Sequence, residues 1–341
     1  MRRYMAAVVV LLSACAAHAE SPSGTERTTL IASVIDQLQA SYIDVEQANK
    51  LAPILRHADF SQAVDDEAFA GAVTALMQGV TKDQHLRLLY RAKQFQSRGS
   101  GVPASTEIAE WQAGWKRDNY GIERVERLPG NIGYFKINYF WDAAGAAPSI
   151  AAAMTLLAYT DALIIDLRDN GGGDADEVPL IASYLFDERT HLSDFYRREG
   201  NITEQQWTYP AVAGIRYGKA KEVYVLTSKA TFSAGEGLAY ALKNLKRATI
   251  VGETTRGGAH PSRMRRLNDH YEMMVPASTV RDHVTGKDWE GVGVLPDVSV
   301  PAEEALTMAQ VMILKKRLAD KPNAENRDEI RKRLAALGPG R

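Results

Sequence analysis

A serine stands where an apolar, strand-like run gives way to a helical pattern, in the stretch VYVLTSKATFSAGEGLAYALKNL. The run VYVL is typical of a buried strand, and the leucines and alanines that follow the serine recur at helical spacing. Ser233 lies at the junction, beside the first free backbone N–H groups of the helix, which begin at Ala234. Such donors stabilise an oxyanion, so Ser233 is a candidate nucleophile. Ser233 and Glu236 also fit a capping box, and on this stretch alone that alternative stays open.

A glycine-rich loop follows a second apolar strand pattern, in ALIIDLRDNGGG. Gly171, Gly172 and Gly173 leave three consecutive peptides without side chains, so that their N–H groups can approach an oxyanion or a phosphate closely. The loop has neither a GxGxxG pattern nor the Gly-Lys-Ser/Thr ending of a P-loop. An oxyanion is therefore the favoured ligand, and a tight turn is the structural alternative.

Candidates for a general base and for its partner carboxylate lie far from the serine in sequence. His85 follows the polar turn TKDQ, and His260 lies in the glycine-rich stretch GETTRGGAHPSR. Glu290 stands between Trp289 and a glycine, and a carboxylate that is partly buried there needs a partner such as an imidazolium. A surface histidine and an exposed loop acid are the alternatives for His85 and Glu290.

The composition excludes several other chemistries. Cys15 is the single cysteine, so the mature chain has no disulfide, no cysteine-ligated metal and no thiol nucleophile. The chain has 41 basic and 42 acidic residues, a balance that leaves no electrostatic footprint for nucleic acid. We therefore expect no nucleic-acid partner, no metal and no cofactor.

The first residues predict export. Arg2 and Arg3 precede an apolar stretch that is too short to span a bilayer, which is typical of a signal peptide. Two cleavage sites compete: one removes residues 1–19, and the other, in a Leu-Ser-Ala-Cys string like a lipobox, removes residues 1–14 and leaves a lipid anchor on Cys15. Either site predicts a periplasmic or extracellular protein, which in the second case is membrane-anchored.

Periodicity divides the remaining chain into four parts. Residues 24–95 predict a small helical bundle, residues 96–130 a connector, residues 131–310 an α/β core domain, and residues 311–341 a charged helical tail. In the core domain, strand and helix patterns alternate, which favours a largely parallel sheet with its ligand chemistry at the strand ends.

Four separated motifs resemble a known family: TKDQHLR, DLRDNGGG, TSKATFSAGE with VGETTRGGAHP, and DWEGVGVLPDV. They are similar to the serine peptidases related to tail-specific (C-terminal processing) proteases and the tricorn core, and most of all to the branch of interphotoreceptor retinoid-binding protein and its bacterial relatives. The resemblance covers most of residues 26–310. It implies a ββα-superhelix fold of the ClpP/crotonase type for the core domain.

By this resemblance Ser233 is the nucleophile, and Ala234 N–H with the region of Gly171 and Gly172 forms the oxyanion hole. These roles imply acyl transfer, with a peptide or protein as substrate. The segment between the bundle and the core domain is too short for a PDZ domain, so recognition of substrate C-termini by such a module is not expected.

The resemblance also bears on the general base. Tail-specific proteases activate their serine with a lysine in a Gly-Lys-Gly turn, but here the turn from residue 256 reads Arg-Gly-Gly-Ala. The role then moves to the tricorn-like alternative, in which a histidine that matches His85 pairs with a glutamate that matches Glu290. Gln84 stands where the tricorn pattern has a serine. We expect His260 to shape the glycine-rich turn rather than to act in catalysis.

Two functions follow from these motifs. The first is an exported serine peptidase with its active site in the cleft between the helical bundle and the core domain. The second is a binding protein for an apolar ligand, such as a retinoid or a fatty acid, on the same fold. The order His, Ser, Glu excludes an α/β-hydrolase, which runs Ser, acid, His.

Overall fold

A computed structural model describes residues 24–92, 105–320 and 324–338. The expected signal peptide and Cys15 lie outside the described residues. The helices are α1 (Gly24–Ser41), α2 (Val45–His57), α3 (Asp66–Thr81), α4 (Ser105–Arg117), α5 (Ala143–Leu157), α6 (Glu177–Ala182), α7 (Ala234–Asn244), α8 (Ala302–Ala319) and α9 (Ala324–Leu337). The strands are β1 (Arg87–Tyr90), β2 (Ile122–Leu128), β3 (Ile132–Ile137), β4 (Ala162–Asp166), β5 (His191–Arg197), β6 (Ile202–Trp207), β7 (Glu222–Thr227), β8 (Thr249–Gly252), β9 (Ser262–Arg266), β10 (Tyr271–Pro276), β11 (Ser278–Asp282) and β12 (Val298–Ser299). Within these ranges no helix has both the length and the apolar character that a membrane span requires.

A six-stranded sheet forms the centre of the α/β domain, in the order β12-β8-β7-β4-β3-β2. All neighbours in it run parallel except β2 and β3, which are antiparallel. All five residues of β4 are buried, as in strands of a parallel sheet that is covered on both faces. The predicted α/β class with a largely parallel sheet is thus confirmed. The sheet begins at Ile122, inside the segment that the sequence predicts as a connector.

Helices cover both faces of this sheet. The apolar faces of α5, α6 and α7 pack against one face, through residues such as Ile150, Ile181 and Leu238. The other face is covered by α8 and α9 through Ile313 and Ile330. Helix α8 continues without a break across the division that we expected between residues 310 and 311, so its second half packs with the core domain.

The N-terminal helices α1 to α3 are not a separate body. Strand β1, which follows α3, pairs antiparallel with β10 of the core domain, and β10 pairs with β9. Tyr271, Met273 and Val275 on β10 are buried in the same apolar core as the helices. This pairing holds His85, two residues before β1, against the α/β domain. A second small sheet, β11-β5-β6, contains an antiparallel hairpin of β5 and β6.

Candidate active site

Ser233 occupies a strained turn directly before helix α7. Its φ of 53° and ψ of −122° lie outside the regions that non-glycine residues favour, and such strain concentrates at functional sites. Its backbone N–H donates to Glu236 Oε2 over 2.8 Å, so the backward bond of the capping box is present. The serine nevertheless also lines a cleft. Ser233 can therefore cap helix α7 and also be the candidate nucleophile.

The glycine loop packs against this turn. Gly172 has a φ of +92°, and a β-carbon there would lie 2.7 Å from Ser233 Cβ and 3.1 Å from Ala234 N. The N–H groups of Gly171 and Gly172 already donate to Asn138 O (3.1 Å) and Asn170 Oδ1 (2.8 Å). Of the three expected oxyanion donors, only Ala234 N–H has no acceptor in the described part of the chain.

One further backbone donor lines the same cleft. Gly173 was not among the expected oxyanion residues, yet its N–H has no acceptor within the described ranges and the residue lines the cavity beside Ser233. Its φ of +120° and the 1.9 Å that would separate a β-carbon from Phe140 O require glycine at this position. Ala234 and Gly173 are thus the free N–H groups that this site offers to an oxyanion.

His85 lies beside the nucleophile turn, buried against an aromatic ring. Its imidazole stacks on Phe232, with the ring centroids 4.5 Å apart and the planes inclined by 26°. Burial lowers the pKa of His85 to about 4, and the nearby carboxylate of Asp83 opposes this only in part. The ring is therefore neutral near pH 7, the state that a general base requires. His85 and Ser233 line one cavity, although no hydrogen bond joins their side chains in the described structure.

Glu290 also lies close to His85. Glu290 Oε2 accepts a hydrogen bond from Ala259 N over 2.5 Å. Glu290 Oε1 and His85 Nδ1 are both buried without a partner among the described residues, which is unusual for polar atoms in a protein interior. One ligand atom each of Asp83, His85 and Glu290 lies within 4.8 Å of the others. The structure therefore brings together the expected base and acid, which are 205 positions apart.

Two further side chains complete a buried network behind His85. His260 Nδ1 lies 3.0 Å from Asp83 Oδ2 and 3.6 Å from Glu290 Oε2. Burial alone would lower the pKa of His260, but the hydrogen bond to Asp83 and the charge of Glu290 outweigh it, so the pKa is raised. Tyr42 donates its hydroxyl to the same Asp83 oxygen over 3.1 Å. His260 Nδ1 thus lies close to two carboxylates.

Asp83 and Tyr42 did not stand out in the sequence. Asp83 stands two residues before His85, and its Oδ1 accepts the backbone N–H of His85 over 3.0 Å. That spacing in TKDQH was the available signal, whereas nothing local marks Tyr42. Asp83, His85 and Glu290 also offer donor atoms that a divalent cation could accept. The oxygens of Asp83 already accept from His85 N, Tyr42 and His260, whereas His85 Nδ1 and Glu290 Oε1 have no partner among the described residues.

Glu236 ties the glycine-rich turn to the nucleophile. Besides Ser233 N, this buried carboxylate accepts from Thr255 Oγ1 (2.5 Å), Gly257 N (2.7 Å) and Gly258 N (2.9 Å). Burial raises the pKa of Glu236, and these donors oppose that shift. The sequence suggested only its capping role. Its wider role is to hold the turn that carries His260 against the start of α7.

The turn has no room for a side chain at Gly258. A β-carbon there would lie 2.3 Å from Phe232 Cε2 and 2.7 Å from His85 Cε1. Contacts this short do not occur between packed side chains. The rings of His85 and Phe232 therefore occupy the space that a side chain at position 258 would need.

A cavity of about 470 Å³ has Ser233 and His85 in its lining, which comes from both parts of the protein. Arg87 on β1 and Met274 on β10 contribute to this lining. Apolar residues of the α/β domain also line it: Val178, Leu192, Phe195, Tyr240, Val280 and Trp289. The candidate site thus lies between the helices and the α/β domain, and it combines a candidate nucleophile, a neutral imidazole and free N–H donors, with Glu290 near the imidazole.

This α/β fold and this set of side chains resemble those of serine hydrolases. Residues 131–300 match the model of peptidase family S41, and this domain of the chain belongs to that family.

Relatives of known name match about half of the chain. It is 31% identical over 194 residues to the carboxyl-terminal-processing peptidase 2, chloroplastic, of Arabidopsis thaliana, an alignment that covers 52% of this chain and 35% of the relative. It is 34% identical over 182 residues to the carboxyl-terminal-processing protease of a Picosynechococcus species, covering 52% of this chain and 41% of the relative. The chain therefore spans well under half the length of these relatives.

Solved structures extend the fold likeness to most of the chain. Mature CPAF superposes with a TM-score of 0.58 at 12% identity, over 88% of this chain and 98% of that one. At such low identity the likeness concerns the fold alone. The superposition extends beyond the family domain, since it covers 88% of the chain.

Proposed function

We propose that the protein is an exported serine-type peptidase that hydrolyses peptide bonds through an acyl-enzyme. The observation that supports this most is the strained turn at Ser233, which shares one cavity with the neutral imidazole of His85 and with the unpaired N–H of Ala234. In this proposal Ser233 is the nucleophile, His85 the general base and Glu290 the acid that orients it. Ala234 N–H and Gly173 N–H form the oxyanion hole, because the N–H groups of Gly171 and Gly172, which the sequence suggested, donate elsewhere.

The chemistry follows from these positions. His85 takes the hydroxyl proton while Ser233 Oγ attacks the carbonyl carbon of the substrate, and the carbonyl oxygen becomes an oxyanion at the free N–H groups. Glu290 stabilises the imidazolium that forms. Collapse of the tetrahedral intermediate breaks the C–N bond, and the leaving amine takes the proton from His85. Water, activated by His85, then hydrolyses the ester and restores the serine.

Export and substrate class belong to the same proposal. The basic and apolar start of the chain supports export, with cleavage after residue 19 or lipid attachment at Cys15. The names of the relatives describe peptidases that process carboxyl termini, which supports a peptide or protein as substrate here. The motifs further support a place in the branch of interphotoreceptor retinoid-binding protein.

Reaction with a fluorophosphonate probe tests the proposal directly. The purified protein should gain the mass of one phosphonyl group, which peptide mapping should locate on Ser233, and Ser233→Ala should not react. A folded wild-type protein that does not react would overturn the peptidase assignment.

A binding protein for an apolar ligand is the second candidate. The apolar residues that line the cavity, such as Leu192, Phe195 and Trp289, support this second function. Titration with retinol or oleate distinguishes the two: saturable binding by a protein that a fluorophosphonate does not label would favour this second function.

A further inference from the structure

The charges that line the cavity are distributed unevenly. Besides His85, three charged residues line it: Arg87, Arg256 and Asp282. Asp282 Oδ1 accepts from Val284 N and from both N–H and hydroxyl of Thr285, and its Oδ2 is buried without a partner among the described residues. The two arginines form no ion pair with a carboxylate in the described part of the chain. The cavity is therefore lined by two arginines and one carboxylate, which leaves an excess of positive charge.

Both guanidinium groups are held in place, yet they keep donors free. Arg87 Nε donates to Gln84 O over 3.1 Å, and its two terminal nitrogens have no acceptor within the described ranges. The guanidinium carbon of Arg256 lies 4.8 Å from the ring centroid of Phe232, the same ring on which His85 stacks. A guanidinium on an aromatic face keeps its edge N–H groups available to an anion. The two side chains thus present an ordered pair of donors near the candidate base.

The carboxylates nearest to His85 form no ion pair with the two arginines. Asp83 and Glu290 contact His260 on the buried side of His85. Burial is the main reason for the low pKa of His85, and the charges of His260, Arg87 and Arg256 lower it further. The charge of Asp83 opposes these effects only in part, so an anion bound to the arginines would raise the pKa of His85 and make the base stronger.

We propose that Arg87 and Arg256 form a carboxylate-binding subsite beside Ser233, so that the protein prefers peptides that place a carboxylate next to the bond to be cleaved. This inference rests on the proposed peptidase function and specifies its substrates. Guanidinium groups bind carboxylates through paired, charge-assisted hydrogen bonds. The carboxylate is either an acidic side chain or the carboxyl terminus of the substrate. In both cases its binding offsets two of the charges that weaken His85 as a base, so the correct substrate also activates the site.

Binding of defined peptides to the full chain tests this inference without requiring turnover. The protein carries Ser233→Ala, and the probes are dye-labelled hexa-alanine peptides with a free or amidated carboxyl terminus and with glutamate or glutamine near the centre. We expect a peptide with either carboxylate in a usable position to bind about tenfold more tightly than its neutral counterpart, as measured by fluorescence anisotropy. Preference for the free terminus, or for glutamate, identifies the source of the carboxylate.

Substitution of the arginines links the preference to the subsite. Arg87→Gln combined with Arg256→Gln should abolish the preference, whereas Arg124→Gln, which removes an ion-paired arginine on strand β2 outside the cavity, should keep it. If the double variant does not fold, Arg256→Gln alone, at an exposed position, should still reduce the preference. Equal binding of acidic and neutral peptides, or a preference that survives the loss of both arginines, would overturn the inference.

The two proposals can fail separately. A wild-type protein that reacts with a fluorophosphonate but shows no carboxylate preference remains a peptidase without this subsite. A protein that binds acidic peptides through the arginines but does not react has the subsite without the proposed nucleophile.

Discussion

The imidazole of His85 stacks on the ring of Phe232, the residue immediately before Ser233, with the two centroids 4.5 Å apart. The base is thereby positioned by the same turn that presents the nucleophile. On the other side His85 is anchored by Asp83, which accepts its backbone N–H. A displacement of Phe232 should therefore affect the base and the nucleophile together.

Gly258→Ala should disrupt this arrangement. The added methyl group would lie 2.3 Å from Phe232 Cε2 and 2.7 Å from His85 Cε1, so both rings must move. We expect the rate of fluorophosphonate labelling to fall by roughly tenfold or more, because small misplacements of reacting groups are costly. Gly79→Ala is the matched control, since a β-carbon there meets no atom within 4 Å and alanine suits a helix. An unchanged rate in Gly258→Ala would contradict the proposed position of the base.

The two histidines of the site should differ in importance. His85→Ala should lower the labelling rate by about 10³-fold or more, as expected for a general base. His260→Gln should cost much less, roughly tenfold, because His260 acts only through Asp83 and Glu290. The exposed His57→Ala serves as the control. If His260→Gln abolished labelling while His85→Ala kept most of it, the assignment of the base would be wrong.

The pH dependence of the reaction should report Glu290. Burial, with the charge of Asp83 adding to it, raises the pKa of Glu290 to about 7, whereas His85, with a pKa of about 4, stays neutral above pH 5 or so. Only the ionised Glu290 stabilises an imidazolium, so the labelling rate should rise as the pH passes about 7 and then level off. The slower variant Glu290→Gln should lose this inflection. An inflection that persists in this variant would assign the titration to another group, such as His260.

Glu177 should make folding stability depend on pH. Its Oε1 accepts from Asp142 N, its Oε2 is buried without a partner in the described ranges, and burial raises its pKa to about 8. The folded protein therefore keeps a proton that the unfolded chain loses near its ordinary pKa of 4.5, and stability falls as the pH rises between these two values. Glu177→Gln removes this loss, so its advantage in free energy of unfolding should grow towards about pH 8, to on the order of 3 kcal/mol.

Thermal or urea unfolding at several pH values measures this effect. The exposed Glu204→Gln on strand β6 is the matched control and should show no such trend. A difference between Glu177→Gln and the wild type that is independent of pH would show that Glu177 is ionised in the folded protein.

Much of the fold and half of the site could be predicted from local patterns. Ser233 stands at a strand-to-helix junction because a β-branched apolar run meets a helical period there, and these periods depend on neighbours close in sequence. The glycine loop is equally local. Residues 120–128 carry the pattern of a possible edge strand, but their place in the central sheet was not visible, because an edge strand carries a weaker pattern than the fully buried β4.

The sequence by itself determined the types of chemistry: a serine before a helix, a bare glycine loop, no usable thiol and no lysine in the glycine-rich turn. The tertiary structure decided which groups meet. Asp83 contacts His260 across 177 positions because β1 pairs with β10, and no local pattern encodes such a pairing. The tertiary structure also decided the protonation of these groups, since the low pKa of His85 and the raised pKa of Glu290 arise from burial. Burial depends on how distant parts of the chain pack, which is why the network of Tyr42, Asp83 and His260 became visible only in three dimensions.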